Sequence, residues 1–522
     1  MQRVKPGAEE RFPVAGPLVE AVRVTAASPS LADNTADADR LRRALPDASS
    51  TLLPFSRLAA VSGAFRQAGF SGWAVVNRLA LANELVDFTA SEPRLLGMAL
   101  DLGTTHLAAE LIDCATGRLL ASAGRPNSQI RFGADILTRI HHANTPAGRA
   151  ELQAAARADI QALAGDMAAA VGCAPADIRG LTVAGNTTMC HLLLGLPPHT
   201  ICREPYIPAA NRFDPFPAHE LGLELAPHAP VLLLPNVGSY FGGDLVAGIL
   251  ATGMADRPEV TMLIDVGTNA EVVIGNQEFL VACAGAAGPA LEGGIARMGM
   301  RAAPGAIERV RVDPATGEVC FQTIGNAPPQ GLCGSGIIDL VAELFLAGVI
   351  DIRGKLRPGR HPNVRQIDGR YAFVVADAEQ SGTGGPVFID QVELDNVIRS
   401  KAAMYSILTT LIGEVGLSFA DIQRIYVAGA FGQHIDPRRA VVIGMLPDLP
   451  ADIFTAVGNS SLAGARRLLL DERARRLAAE LPGRITYLEL NVNHAFMNRF
   501  SGARFLPHTD PSLFPSVPRP TD

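Results

Sequence analysis

The chain has 522 residues, enough for three or four folding units at about 150 residues each. Apolar residues make up 48% and charged residues 19%, which excludes a disordered chain, and 45 Lys plus Arg against 52 Asp plus Glu give a net charge of −7 that argues against a basic nucleic-acid-binding face. No uncharged apolar run reaches the ~18 residues of a bilayer span, and Met1–Val14 (MQRVKPGAEERFPV) has no apolar signal region, so a cytoplasmic protein is expected, with neither membrane nor nucleic acid as partner.

Residues 1–16 and 507–522 are rich in Pro and polar residues and are expected as flexible tails. Leu18–Val24 alternates like a strand, Thr35–Leu45 and Ser56–Gln67 have helical spacing, and an apolar run follows near Trp73–Val76, predicting a small α/β domain over 17–95. Leu96–Leu111 reads LGMALDLGTTHLAAEL and Thr261–Ile274 reads TMLIDVGTNAEVVI. Each is an apolar run ending in Asp-x-Gly-Thr-Thr/Asn before apolar residues resume, which predicts strand, tight glycine turn and strand, twice over. The repeat implies a duplicated α/β core, its lobes spanning 96–255 and 256–506, with long helices at Thr145–Val171, Ile337–Ala347 and Val392–Glu414. Gly354–Gly385, around the strand candidate Tyr371–Val375, reads as a surface insertion.

The chemistry concentrates at the repeated turns. Gly103 lets the turn approach a ligand closely, and its N–H groups and the hydroxyls of Thr104 and Thr105 can donate to phosphate oxygens. Asp101 would hold hydrated magnesium, which keeps several waters and takes few carboxylates; Asp265, followed by Gly267, Thr268 and Asn269, is the natural second ligand. One such motif alone would be better read as a hairpin turn with a self-capping Asp, and the duplication reverses that preference. Ile425–Gly432 (IYVAGAFG) runs into small residues, Gly429, Ala430, Phe431 and Gly432, against which an adenosine ring could lie; a bare strand-to-helix glycine turn explains it equally well. Leu181–Thr188 (LTVAGNTT) has the same shape and could merely connect the halves.

Weaker candidates are Asp135 and Arg139, one helical turn apart and able to face a γ-phosphate or to form an ion pair, and Asn236, Asp244 and Glu292 in glycine-rich strings. Arg297 and Arg301 could meet phosphate or the protein's own carboxylates, whereas His141, His142 and His434 lack acidic or metal-ligand partners at readable spacing. Gly354-Lys355 precedes Leu356 and lacks the upstream P-loop glycine, and no strand leads into G-x-G-x-x-G.

Phosphate turn, connecting strand, second phosphate turn and adenosine strand, in that order, resemble the superfamily of acetate and sugar kinases, Hsp70 and actin. A closer resemblance runs from about Pro17 to Asp510, carried by PSLADNTADADRLRRAL (Pro29–Leu45), QIRFGADILTRI (Gln129–Ile140), VAGNTTMCHLLLGL (Val183–Leu196), PNVGSYFGGDLVAGILATGM (Pro235–Met254), ACAGAAGPALEGG (Ala282–Gly294), GMRAAPGAIE (Gly299–Glu308), GLCGSGIIDLVAEL (Gly331–Leu344) and VGNSSLAGAR (Val457–Arg466). On these strings the chain resembles the reductive activators of corrinoid proteins, ATP-dependent enzymes that return oxidised cobalamin to Co(I) during methyl transfer. The resemblance implies a two-lobed actin-like ATPase with ribonuclease H-like lobes and a small N-terminal α/β domain. It also implies Mg2+ and ATP as cofactors, a corrinoid protein as partner, and ATP binding that favours a corrinoid-protein conformation in which cobalt is easier to reduce.

Members of that family usually begin with a ferredoxin-like domain whose four cysteines hold a [2Fe–2S] cluster. Here the seven cysteines are Cys114, Cys173, Cys190, Cys202, Cys283, Cys320 and Cys333, with no C-x-x-C and none before Cys114. No iron–sulfur cluster is therefore expected in this chain, and a separate ferredoxin-like protein is the expected electron donor. Cys333, in a Cys-Gly turn, resembles the cluster ligand of the activators of 2-hydroxyacyl-CoA dehydratases, dimers that share one cluster, but a buried small hydrophobe is the simpler reading, as it is for Cys283. Homodimerisation stays open. The rival functions are a kinase of a small carboxylate or sugar and a non-catalytic nucleotide-dependent scaffold.

Overall fold

The computed structural model describes residues 4–7, 10–267, 270–285, 297–313, 316–490 and 493–518, with backbone only at 6, 430 and 431. The N-terminal residues expected as a tail are tied down. Strand β1 (Lys5–Pro6) pairs antiparallel with β8 (Leu119–Pro126), the Phe12 N–H donates to Gly117 O and the Ala15 N–H to Leu470 O, both at 2.9 Å. An aromatic anchor accounts for the order: the Arg466 guanidinium lies 3.6 Å from the Phe12 ring centroid and bonds the Glu110 carboxylate at 2.9 and 2.7 Å.

The small domain contains β2 (Val19–Thr25), α1 (Asp37–Arg43), β3 (Thr51–Leu52), α2 (Phe55–Gln67), β4 (Ser71–Asn77) and β5 (Asn83–Thr89), with a four-stranded sheet in the order β2-β4-β5-β3. Its core is Leu41, Val61, Phe65, Phe70, Leu85 and Phe88, and the Phe65 ring meets Phe70 and Phe88 edge-on at 5.1 and 5.0 Å.

Next come β6 (Leu96–Leu102), β7 (His106–Asp113), β8, α3 (Ile136–His142), α4 (Pro146–Ala170), β9 (Ile178–Gly185), α5 (Thr187–Leu194), β10 (Phe216–Pro217), β11 (Pro230–Leu233) and α6 (Gly243–Thr252). The seven-stranded sheet has the order β1-β8-β7-β6-β9-β11-β10, with β6, β9 and β11 parallel. Helix α4 starts where Thr145 accepts the Gly148 N–H and buries Leu152, Ala156, Ile160, Leu163 and Met167, positions three and four apart, against this sheet.

The second unit repeats the arrangement. Its strands are β12 (Thr261–Val266), β13 (Ala270–Gly275), β14 (Leu280–Gly285), β15 (Ala306–Val312), β16 (Val319–Thr323), β17 (Gly331–Leu332), β18 (Val364–Ile367), β19 (Arg370–Ala376), β20 (Val387–Asp390), β21 (Arg424–Ala428) and β22 (Phe454–Gly458). Its helices include α7 (Gly334–Leu346), α8 (Gln391–Glu414), α9 (Gly429–His434) and α10 (Pro437–Val442). With β23 (Ile485–Leu488), the six-stranded sheet runs β22-β21-β12-β13-β14-β23. The order β14-β13-β12-β21-β22 duplicates β8-β7-β6-β9-β11, including the antiparallel run of three and the parallel fourth and fifth strands.

Three expectations change. The insertion reaches to Asp390 and forms a three-stranded sheet, β18-β19-β20, whose Phe373, Val375, Val387 and Ile389 join the main apolar core, so it is not merely superficial. Asp390 then caps α8 in a reciprocal box with Glu393 (2.7 and 2.9 Å). The chain also returns to the first unit through α11 (Ser460–Leu470) and α12 (Glu472–Arg484), so that unit is 1–251 with 460–484 and the second is 252–459 with 485–522. Gly464 lets α11 pack there, because a Cβ would stand 2.3 Å from Ala247 O. Finally, beyond α13 (His494–Ala503) the expected C-terminal tail is packed down: Leu506 and Phe514 are buried, and the fully buried Lys401 ammonium donates to the carbonyls of Phe505 and Pro507.

Candidate functional site

Asp101 is the penultimate residue of β6, in register with Ala108 on β7 and with Ala184 on β9. The turn after it is tight: a Cβ on Gly103 would stand 2.3 Å from His106 O, so only glycine closes it. Two asparagines bracket the turn. The Asn127 amide donates to Gly103 O at 2.9 Å while its backbone N–H donates to Thr105 O at 2.9 Å, and the Asn186 Nδ2 donates to Thr104 Oγ1 at 3.0 Å. Gly103, Thr104 and Thr105 all stay partly exposed. The turn is thus fixed from within the fold and open on its other side.

Asn186 also caps α5, accepting the Met189 N–H at 3.0 Å, so Leu181–Thr188, read as a connector, instead delivers a side chain to the first turn. At the carboxyl ends of the parallel strands β9 and β11 lie Asn236, fully buried and accepting the Gly243 N–H, and Thr187, whose hydroxyl donates to Gly238 O at 2.6 Å. A Cβ on Gly242 would stand 2.5 Å from the Asn186 Cα and 2.8 Å from Asp244 Oδ1, which puts the Asp244 carboxylate beside Asn186. Carboxyl ends of parallel strands are where open α/β sheets bind ligands.

The second unit carries the counterpart. Asp265 on β12 is in register with Glu271 on β13 and Ala428 on β21, as Asp101 is with Ala108 and Ala184. Gly429 follows in the left-handed region at φ 79°, and a Cβ there would stand 3.2 Å from Asp265 Oδ1. Burial pushes the Asp265 carboxyl up to about 6, and among the described residues it has no salt-bridge partner. A carboxylate in that state gains its ionised form back when a cation arrives, so it fits a ligand of hydrated magnesium. Gly267 ends the strand; Thr268, Asn269 and Glu292 lie outside the described residues, as do the side chains of Ala430 and Phe431. Gly432 faces the strand, because a Cβ would stand 2.4 Å from Val427 O, and it lets α9 sit against β21.

The weaker candidates go elsewhere. Asp135 caps α3, accepting the Thr138 N–H at 2.8 Å, and does not bond Arg139, which is buried. His142 does have an acidic partner, Glu151, at 2.7 Å, nine residues on along the next helix and invisible to local spacing. Arg297 meets Asp368 at 2.9 Å, and Lys355 meets both Asp395 oxygens at 2.8 Å. Cys333 is buried at the start of α7, with its thiol donating to Ile307 O at 3.3 Å. Asn127 and Asn186 escaped the sequence reading; their only local signal was position, each just past the end of a strand next to the repeated turn.

The family described as the RACo linker region matches residues 8–90, the RACo middle region matches 96–257, and the C-terminal domain of RACo, the ASKHA domain, matches 259–518. The corrinoid activation enzyme RamQ of Eubacterium limosum is 31% identical over 479 residues, 89% of this chain and 79% of that protein. A corrinoid protein reductase of Methanosarcina barkeri, whose described substrate is the Co(II) methylated amine-specific corrinoid protein, is 27% identical over 54% of this chain and 53% of its own length. A solved structure described as a reductive activator for corrinoid, iron-sulfur protein superimposes with a TM-score of 0.88 at 38% identity, covering 98% of this chain and 83% of that one. With the duplicated sheets, the paired aspartate turns and these three consecutive regions in agreement, the chain belongs to the RACo family of corrinoid activators.

Proposed function

We propose that this chain is an ATP-hydrolysing activator that returns the cobalt of a corrinoid methyltransferase protein to Co(I), with electrons supplied by a separate ferredoxin-like protein in the cytoplasm. The observation that carries the nucleotide part is the duplication: two aspartates, Asp101 and Asp265, at the same position of two sheets with the same strand order. Asp101 and Asp265 would be the ligands of a hydrated magnesium ion, Gly103, Thr104 and Thr105 and their counterparts Gly267, Thr268 and Asn269 would receive phosphate oxygens, and Gly429–Gly432 would receive the adenosine. Held there, magnesium would supply charge neutralisation for the phosphates. The corrinoid protein contributes the cobalt as substrate, and nucleotide can shift its reduction only by binding two states of the complex with different affinity.

Calorimetry tests the site. Asp101→Ala and Asp265→Ala should each lose Mg-ATP affinity while melting as cooperatively as the unaltered protein. Unchanged affinity in both variants overturns the site assignment, and ATP turnover that needs a small carboxylate or sugar acceptor would reassign the chain as a phosphotransferase.

A further inference from the structure

Arg139 is the largest fully buried side chain among the described residues, and its surroundings are unusual for a guanidinium. Its Nε donates to Gly133 O at 2.9 Å, its Nη1 lies 3.4 Å from Gln129 Oε1 and 3.5 Å from Met189 Sδ, and its Nη2 has no partner among the described residues. Among the described residues no carboxylate forms an ion pair with it. The Asp135 carboxylate attracts it only from beyond ion-pair distance, so keeping this guanidinium buried costs stability.

What it touches suggests a use. Gln129 donates its N–H to Asn127 Oδ1 at 2.9 Å, and Asn127 holds the carbonyls of Gly103 and Thr105. Met189 donates its N–H to Asn186 Oδ1 at 3.0 Å, and Asn186 holds the Thr104 hydroxyl. One guanidinium therefore stands behind both brackets of the turn, through two separate chains of contact. Because the site is shut off from water, its positive charge is little screened.

We propose that Arg139 is the positioning residue of the Gly103–Thr105 turn, bracing both asparagine brackets and bringing to the turn a positive charge without an ion-pair partner, and that it thereby sets the preference of this site for a triphosphate over a monophosphate. The inference rests on the nucleotide reading of that turn. It assigns to Arg139 a role through Asn127 and Asn186 and no direct contact with ligand.

The test compares Mg-ATP and AMP binding in the full chain by calorimetry for Arg139→Met, Arg139→Gln and Gln129→Leu, with Asp101→Ala alongside. Arg139→Met should melt, without nucleotide, at or above the unaltered temperature, since an apolar side chain replaces an unpaired buried charge. Its ATP affinity should nevertheless fall about tenfold or more, the effect of ~1.4 kcal/mol, while AMP affinity stays nearly unchanged. Gln129→Leu, which keeps the charge and the backbone N–H bond to Asn127 but removes the side-chain contact with Arg139, should lose less. A residue with a purely structural role would move melting and leave the ATP-to-AMP ratio alone. If the Met variant does not fold, Arg139→Gln decides. An unaltered ATP-to-AMP ratio in the folded variants, with Asp101→Ala defective, overturns the inference alone; unaltered binding in Asp101→Ala as well overturns the nucleotide reading with it.

Discussion

Asp265 and Gly429 face each other across the paired ends of β12 and β21, with 3.2 Å between Asp265 Oδ1 and the place a Cβ on Gly429 would take. The space beside the carboxylate exists because residue 429 has no side chain, and the φ of 79° there is one that only glycine adopts freely. Gly429→Ala should therefore do two separable things. It should lower stability by about 1–2 kcal/mol through the left-handed backbone, and it should weaken Mg-ATP binding by crowding Asp265. Gly416→Ala is the control, since Gly416 has φ 69° but nothing within 4 Å of its Cβ position. Melting should fall in both variants, and ATP affinity, measured by calorimetry, only in the first.

Asn186 serves two masters, capping α5 through Oδ1 and holding Thr104 through Nδ2. Replacing it by Asp separates them. The carboxylate keeps the cap and interacts favourably with the helix N-terminus, though it also meets the nearby Asp244 carboxylate, so stability should fall by less than in Asn186→Ala. The donor to Thr104 is gone and a negative charge stands beside the phosphate turn, so ATP affinity should drop sharply. Asn186→Ala should lose both, with stability falling by about 1–2 kcal/mol. Hydrogen exchange should show faster amide exchange around Gly103 in either variant.

Strand and helix periodicity placed most elements well, because the runs were long and strongly patterned: Thr145–Val171 was expected where α4 spans Pro146–Ala170, and Val392–Glu414 where α8 spans Gln391–Glu414. The two aspartate turns were legible because duplication turns a common hairpin signature into a specific one. What escaped depends on contacts between distant residues. Nothing local to Asn186 announces that β9 lies beside β6, so its grip on Thr104, 82 residues earlier, becomes visible only with the sheet order. The i,i+4 spacing of Asp135 and Arg139 fits a shared phosphate contact or an exposed ion pair equally, and only the fold reveals that Asp135 caps α3 while Arg139 turns inward. The termini misled because Pro-rich composition hid two aromatic anchors, Phe12 and Phe514.

Asp339 on α7 gives the stability a definite pH dependence. Only 1% exposed, it has its carboxyl pushed up to about 6, chiefly by burial, against opposing help from Arg309 and the Val310 N–H. A carboxyl whose folded pKa lies above its unfolded value favours the fold when protonated. Its contribution is complete below about 4 and disappears as pH rises through about 6. Asp339→Asn, neutral at every pH, should flatten that part of the profile and stabilise the protein at pH 8 relative to the unaltered chain by up to roughly 3 kcal/mol. Denaturant melts at pH 4, 6 and 8 check this, and a difference that does not grow with pH contradicts it.

The supply of electrons separates an activator that carries its own redox centre from one that borrows it. Cys114, Cys190, Cys283 and Cys333 are buried, and burial pushes the thiols of the first three up, Cys114 to about 12, so they resist the thiolate form that holds iron. The purified chain should bind no stoichiometric iron or sulfide after anaerobic reconstitution. Reduction of the corrinoid protein, followed by cobalamin absorbance, should then need ATP, this chain and an added low-potential ferredoxin or chemical reductant together. Omitting any one should stop formation of Co(I). The complex with the corrinoid protein should change in stability with nucleotide, because a ligand without differential affinity for the two states drives nothing. Asp101→Ala should bind the corrinoid protein and yet lose the nucleotide response. One cluster per two chains, lost in Cys333→Ser, would instead show that this chain carries its own electrons.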